Sequence, residues 1–202
     1  KLNYSSDSYS LFIKKYQLNF IRHKCKILKC TINDYFITKC AMMLVNNRKI
    51  IESHINIFVP LYVNKQYSYY ILRIPNIKST FRRLLTYITN LTNNSIKEYT
   101  IRESSIKTYT LINKFLPKKL NVNIYKKMFS KIHLFISNIH GFKHNKSVLS
   151  NNITNIYHSY RSYNCLIECG ISSFQNNINC TYHVNTEYIT TDISTISNYL
   201  QN

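Results

Sequence analysis

The seven histidines and six cysteines are the side chains best suited to metal binding or nucleophilic chemistry, and their spacing argues against both. His140 and His144 lie four residues apart, as on one face of a metal-binding helix, but Gly141 between them disfavours that helix. The cysteines include no C-x-x-C pair. We therefore expect no metal site and free thiols in a reducing compartment. The six thiols belong to Cys25, Cys30, Cys40, Cys165, Cys169 and Cys180.

General catalytic motifs are missing from the sequence. It contains no nucleophile elbow, no H-E-x-x-H sequence and no glycine-rich phosphate loop. With only 2 glycines, backbone cradles for phosphate groups are nearly excluded. The length of 202 residues and the hydrophobic content of 45% suit one globular unit with a substantial core. We interpret residues 1–202 as a single domain.

The segment Ile136–Phe142 has the pattern of a substrate-lining loop. Its sequence, Ile-Ser-Asn-Ile-His-Gly-Phe, is an apolar strand that ends in a small polar pair and one of the two glycines. Glycine at such a point permits a positive φ or the close approach of another group. Strand ends that open into loops often carry binding residues, although an ordinary strand-to-turn junction has the same pattern. The candidate residues are Ser137, Asn138, His140 and Gly141.

A second candidate segment begins at Thr31. The order Thr-Ile-Asn-Asp is a variant of the capping box, and it puts Asp34 in the first helical turn, where the helix dipole favours a carboxylate. Apolar residues then recur at helical spacing, which predicts a helix over Ile32–Val45. Capping alone would account for Asn33 and Asp34, and a functional role for them is compatible with capping.

The remaining elements follow from hydrophobic periodicity. Strands are predicted over Ile55–Val63 and Tyr69–Ile74, and a long helix capped by Ser79 follows them. Two further helices are predicted around Ile106–Leu116 and Val122–Phe129, and a last one over Asp192–Leu200. Four more strands are predicted, over Lys131–Asn138, Ile153–Tyr160, Cys165–Phe174 and Ile178–Asn185.

This order of elements predicts an α/β (α+β) fold, a two-layer sandwich with a mixed sheet. Helices and strands alternate at first, and mostly antiparallel strands then follow in a group. That order disfavours a doubly wound parallel sheet, in which strands and helices alternate throughout. We expect the sheet to consist largely of the strands after Lys131.

The chain is strongly basic, with 27 Lys and Arg against 8 Asp and Glu and a net charge of +19. Such a charge favours nucleic acid or an anionic membrane surface as a partner. The enriched residues, Lys and Asn among them, have AT-rich codons, so the base composition of the genome is a second explanation. The densest basic clusters are Arg22–Lys29 and Lys114–Lys131.

Several short motifs, in consistent order, resemble the wax ester synthase/diacylglycerol acyltransferase family. Thr31-Ile32-Asn33-Asp34 resembles the family's Thr-Val-Asn-Asp motif, and Phe58-Val59-Pro60-Leu61 resembles its Val-Pro strand. Ser137-Asn138-Ile139-His140-Gly141 is similar to its Ser/Thr-Asn-Val-Pro-Gly-Pro motif. Gly170–Phe174 resembles a strand that contains Ser-Tyr, and Asp192–Leu200 resembles the closing helix.

The resemblance covers about Ser10 to Leu200 and has two departures. His140 and Phe142 stand where the family has prolines, which implies a loop of different shape. The Gly-Asn pair that usually follows the Val-Pro strand is also absent, and the loop Asn64–Tyr70 is short.

The resemblance implies the second subdomain of the CoA-dependent acyltransferase fold, to which chloramphenicol acetyltransferase belongs. The family's catalytic His-His-x-x-x-Asp-Gly motif lies in the N-terminal half, where its second histidine takes the proton of the acceptor alcohol before attack on the acyl-CoA thioester. This chain has no His-His pair, so the resemblance implies a C-terminal half without a catalytic residue. It would form one wall of the substrate tunnel, shaped by Asn33, Asp34, Ser137, Asn138, His140 and Gly141.

The resemblance also implies partners and a location. The substrates would be long-chain acyl-CoA and a lipid alcohol, either a fatty alcohol or diacylglycerol, with no cofactor, and the protein partner would be the N-terminal half. No stretch is apolar enough to cross a membrane, so the implied location is the cytoplasm or the cytoplasmic face of the endoplasmic reticulum or a lipid droplet, where the basic excess would favour docking. Two alternatives stay open: a basic, non-enzymatic nucleic-acid-binding protein, and an inactive acyltransferase remnant.

Overall fold

The computed structural model describes residues 9–45, 50–63, 66–95, 131–139, 156–159 and 165–189, with the single positions 117, 120 and 123. These residues form three helices and six strands within the described ranges. In chain order the elements are β1 (Tyr9–Gln17), α1 (Leu18–Leu28), α2 (Ile32–Val45), β2 (His54–Val63), β3 (Gln66–Pro75), α3 (81–95), β4 (Leu134–Ile139), β5 (Ile167–Phe174) and β6 (Asn177–Asn185).

The six strands form one mixed sheet in the order β1-β6-β5-β4-β2-β3. β4 runs parallel to both of its neighbours, β2 and β5, and the other pairs are antiparallel. The predicted mixed α+β class is therefore confirmed. The prediction that the sheet consists largely of strands after Lys131 is wrong, because β1, β2 and β3 supply half of it.

Neither of the two elements that precede Thr31 was predicted from the sequence. β1 carries Lys14 and Lys15 next to each other, which interrupts the apolar alternation expected of a strand. α1 leaves Phe20 and Ile27 exposed at 53% and 66%, so its apolar residues do not mark a single buried face. β1 is nevertheless a strand, because it pairs with β6 along its whole length.

The helices lie on one face of the sheet, and α2 is at the centre of that layer. Eleven of its 14 residues are buried, which explains why its sequence is apolar on nearly every side. Phe36 on α2 meets Tyr16 of β1 edge to face, and Tyr35 meets Phe81 of α3 in the same way. The main core thus lies between the helices and the face of the sheet that includes Ile136, Ile171 and Tyr182.

Most predicted elements that fall on described residues are confirmed. The bounds of α2 match the prediction, and β2 to β6 and α3 differ from it by a few residues. The cap of α3 is a correction, because the backbone N–H of Arg83 donates to Oγ1 of Thr80 at 3.4 Å, one residue after the predicted Ser79. The helices predicted over Ile106–Leu116, Val122–Phe129 and Asp192–Leu200 lie almost wholly outside the described residues. Among the helices described, none has the length and apolar character needed to span a bilayer.

The predicted strand Ile153–Tyr160 is not a strand in its described part, residues 156–159. This segment lies across the face of the sheet opposite the helices. Side chains of the sheet hold its carbonyl groups: Ser172 and Asn179 donate to the Ile156 oxygen at 2.7 and 3.0 Å, and Thr181 donates to the His158 oxygen at 2.5 Å. Its alternating composition therefore reflects packing on a polar sheet face and not pairing within the sheet.

Candidate functional site at the junction of α2 and β4

The two candidate motifs meet in the structure, although they lie about half the chain apart. Nδ2 of Asn138, near the end of β4, donates a hydrogen bond of 2.8 Å to Oδ1 of Asn33, in the first turn of α2. Both side chains are half-buried. This bond links the N-terminus of the central helix to the carboxyl end of a central parallel strand. Strand ends of this kind are where open α/β sheets commonly bind ligands.

The capping box predicted at Thr31 is confirmed and fixes the position of Asn33. The backbone N–H of Thr31 donates to Oδ2 of Asp34 at 3.0 Å, and the backbone N–H of Asp34 donates to Oγ1 of Thr31 at 3.0 Å. The Thr38 hydroxyl also donates to the Asp34 carbonyl at 2.7 Å. These bonds hold the first turn rigidly, so the amide of Asn33 is presented to β4 from a defined backbone.

Asp34 is fully buried, and its second carboxylate oxygen, Oδ1, has no hydrogen-bond partner among the described residues. Tyr70 of β3 shares this interior. Burial raises the pKa of the Tyr70 hydroxyl to about 12, and the negative charge of Asp34 acts in the same direction. The structure thus places Asp34 inside the helix–sheet interface, where it caps α2 and stabilises the turn that carries Asn33.

The amides of the asparagine pair retain hydrogen-bonding capacity. Each Asn side chain offers one oxygen acceptor and two N–H donors. Within the described part of the chain, the Oδ1 atom of Asn138 and the Nδ2 atom of Asn33 make no further hydrogen bond. The junction can therefore position a polar group such as a hydroxyl or a carbonyl. Because an amide does not titrate, it cannot act as the general base.

Ser137 lies next to Asn138 in sequence but faces the opposite side of the sheet, as consecutive strand residues do. It is buried and pairs in register with Gly170, which in turn pairs with Thr181. His140 and Gly141, the other two candidates of this motif, lie outside the described residues. The structure therefore brings together Asn33, Asp34 and Asn138, and it separates Ser137 from them.

Gly170 allows residues 156–159 to lie close above Ser137. A Cβ atom at Gly170 would overlap the carbonyl oxygen of His158 and the Oγ1 atom of Thr181. The backbone of Gly170 is in an ordinary conformation, so close approach and not a positive φ requires glycine here. The motif Gly170–Phe174 includes this glycine, but its contact with His158 was not predicted from the sequence.

His133 is a buried histidine with a structural role. Its Nδ1 accepts a hydrogen bond of 3.1 Å from the backbone N–H of Asn56, which requires an unprotonated Nδ1. Burial lowers the pKa of the imidazole, and Glu52, 4.0 Å from Nε2, acts in the opposite direction. In the described ranges, no three His, Cys, Asp or Glu side chains form a group that could hold a metal ion.

No protein-family model and no curated protein matches this sequence. Solved structures do resemble it. The wax ester synthase/diacylglycerol acyltransferase from Marinobacter aquaeolei VT8 is similar, with a TM-score of 0.59 and 11% identity over 96% of this chain. The condensation domain of the Monacolin K polyketide synthase MokA gives a TM-score of 0.61 at 12% identity over 96% of the chain, and the epimerization domain from the third module of tyrocidine synthetase B gives 0.54 at 11% over 98%.

The chain has a CoA-acyltransferase-like fold. At 11 to 12% identity the likeness concerns the fold alone. The chain spans about half the length of these proteins: 47% of the wax ester synthase, 45% of the condensation domain and 47% of the epimerization domain.

Proposed function

We propose that the chain is the C-terminal half of an O-acyltransferase of the wax ester synthase/diacylglycerol acyltransferase kind. Such an enzyme transfers a long-chain acyl group from acyl-CoA to a fatty alcohol or diacylglycerol. The hydrogen bond between Asn33 and Asn138 is the observation that carries this proposal. It joins two of the motifs that carry the resemblance, in an acyltransferase-like fold.

In this proposal the asparagine pair shapes one wall of the substrate tunnel. The acceptor on Asn138 and the donor on Asn33 would orient polar groups of the substrates, while a histidine of the N-terminal half removes the proton of the alcohol. Ser137 would act indirectly, by packing beneath residues 156–159. Asp34 would act by holding the first turn of α2 through its bond to Thr31.

The face of the sheet opposite the helices, called the open face below, supports the proposal that an N-terminal half packs against this chain. Large apolar side chains on this face are 39 to 53% exposed, more than a solvated sheet face usually carries. They come from β1, β3 and β4, on both sides of the segment at residues 156–159. The exposed residues are Leu11, Ile13, Tyr69, Ile71 and Ile139. An N-terminal half could bury them.

The test is reconstitution with an N-terminal half that contains His-His-x-x-x-Asp-Gly. The half encoded upstream of Lys1 is the first choice, and release of CoA from long-chain acyl-CoA in the presence of a fatty alcohol or diacylglycerol is the measurement. Residues 1–202 alone should show no turnover, because general base catalysis contributes about 10²–10⁴-fold and positioning contributes more. Turnover by residues 1–202 alone, above a heat-killed control, would contradict the proposal.

Asn138 is the residue to vary in the reconstituted enzyme. Asn138→Ala should lower kcat/KM about tenfold, the effect of one lost hydrogen bond to substrate. The matched control is Asn93→Ala, which removes an exposed amide on α3. Both variants are assayed well below their unfolding temperatures, so a stability effect is separated from a positioning effect. Stable assembled halves that bind acyl-CoA without turnover would instead indicate an inactive remnant.

A further inference from the structure

The helices α1 and α3 form a basic surface without a single acidic residue. Residues 18–29 and 76–95 together contain seven Lys and Arg and no Asp or Glu. The side chains of Arg22, Lys26, Lys29, Arg82 and Arg83 are exposed. The whole chain has only 8 Asp and Glu, so charge alone does not distinguish this surface, and the exposed apolar side chains on it do.

Two large apolar side chains project among these charges. Phe20 is 53% exposed and Ile27 is 66% exposed, and a separation of seven residues puts them on the same side of α1. Lys24 lies over the ring of Phe20, 4.7 Å from its centroid. An exposed helix side with both apolar and basic residues is the pattern of a helix that lies in a membrane interface.

A groove between the end of α1 and α3 continues this surface. Its volume is about 440 Å³, within the usual range for binding sites of roughly 300–1,000 Å³. Ile27, Leu28 and Leu85 supply apolar lining, and Lys29 and Arg82 supply positive charge. A site that combines aliphatic walls with two cations matches an anionic headgroup attached to acyl chains.

We propose that the α1–α3 surface docks this chain onto a bilayer that contains anionic phospholipid. The headgroup phosphate would contact Lys29 and Arg82, and Phe20 and Ile27 would enter the interface. Nucleic acid is the other polyanion to consider, but aliphatic side chains such as Ile27, Leu28 and Leu85 contribute little to binding it. This surface is formed by other residues than the Asn33–Asn138 junction, so docking does not depend on acyl transfer.

The experiment is co-sedimentation of the chain with vesicles of phosphatidylcholine that contain about 30% phosphatidylserine, compared with phosphatidylcholine alone. We expect binding to the anionic vesicles only. Lys26→Gln combined with Lys29→Gln should weaken it roughly 30-fold, since each cation near the surface contributes about a factor of five. Lys15→Gln with Lys131→Gln removes the same charge from exposed sites on β1 and before β4, and it should change binding much less.

A tryptophan probe distinguishes insertion from simple attraction of charges. The chain contains no Trp, so Phe20→Trp introduces a single fluorophore. Its emission should shift to shorter wavelength with anionic vesicles, and that of Ile139→Trp, on the open sheet face, should not. Inorganic phosphate and duplex DNA at equal phosphate concentration should leave the emission of the Phe20→Trp variant unchanged.

Equal vesicle binding by the two double lysine variants would overturn the proposal. So would an unshifted emission of the Phe20→Trp variant when it is bound to vesicles. A blue shift or salt-dependent binding with duplex DNA and none with vesicles would overturn it in favour of nucleic acid. Because no acyl transfer is measured, failure here leaves the acyltransferase proposal unaffected, and inactivity of the reconstituted enzyme leaves vesicle binding unaffected.

Discussion

The side-chain amide of Asn138 donates a 2.8 Å hydrogen bond to the side-chain oxygen of Asn33. The two residues belong to motifs separated by about half the chain. The bond ties the first turn of α2 to the end of β4. Because one of the partners is left unpaired in either single variant, Asn33→Ala and Asn138→Ala should each lower the free energy of unfolding by about 1 kcal/mol.

The double variant tests whether the two amides act as a pair. It should cost less than the sum of the single variants, with a coupling of about 1 kcal/mol in urea unfolding. Asn93→Ala, on the exposed side of α3, is the control and should be near neutral. Strict additivity of the two single effects would show that the bond does not form in solution.

The capping box at the start of α2 should also be measurable. Thr31→Ala removes the acceptor for the Asp34 N–H, and Asp34→Ala removes the acceptor for the Thr31 N–H. Each change should lower the free energy of unfolding by about 1 kcal/mol, measured by chemical denaturation. Thr31→Ser keeps the hydroxyl and should stay within a few tenths of a kcal/mol of the parent. A Thr31→Ser variant as unstable as Thr31→Ala would argue against the capping role.

His133 should make stability depend on pH in the acidic range. Burial lowers its folded-state pKa below the ordinary value of 6.5, so the unfolded chain takes up the proton first as the pH falls. The stabilisation is therefore complete above about pH 6.5 and is lost as the pH falls through the lowered folded-state pKa. His158 shifts in the same direction and for the same first cause, burial.

The measurement is the free energy of unfolding at about pH 7.5 and about pH 5.5, for the parent and for His133→Gln. Glutamine cannot take up a proton in this range, and its side-chain oxygen can accept the Asn56 N–H in place of Nδ1. The variant should lose less stability between the two pH values than the parent does. An identical loss in both proteins would mean that His133 does not contribute to the pH dependence.

Gly170→Ala should disturb the packing of residues 156–159 on the sheet. The added Cβ atom overlaps backbone at His158, which cannot move without breaking the bond from Thr181. We expect a loss of about 1–3 kcal/mol and faster cleavage by chymotrypsin after Tyr157, which is 41% exposed. Thr181→Ala, which breaks the same bond without overlap, should increase cleavage with a smaller loss. Parent-like stability and cleavage in Gly170→Ala would contradict this packing.

The thiols should react slowly in the folded protein. All six cysteines are free, five are buried, and Cys30 is half-buried. Burial raises the pKa of the Cys25 thiol to about 12 and also raises those of Cys30, Cys169 and Cys180. The raised pKa values leave little thiolate, the reactive form, so these thiols react slowly. Mass measurement after brief alkylation should show Cys30 modified first, because it is the least buried of the six. Alkylation under denaturing conditions without reductant should modify six thiols, and fewer would reveal a disulfide.

Local sequence patterns determined α2 and the β5–β6 hairpin. The cap and the apolar spacing of α2 act within one or two turns, so its bounds could be predicted to the residue. The hairpin closes through Gln175 and Asn176, which have positive φ values of 45° and 62°, a conformation that Asn tolerates well. In both cases the information lies in a few neighbouring residues.

Tertiary contacts decided the other elements, because these contacts join segments far apart in the chain and no local pattern encodes them. β1 is a strand because it can pair along its whole length with β6, and residues 156–159 lie on the sheet because donors on β5 and β6 hold them. The family resemblance implied that Asn33, Ser137 and Asn138 belong to one tunnel wall. Only the fold joined the two asparagines and turned Ser137 to the other face, since pairing in the sheet fixes which side each residue of β4 must face.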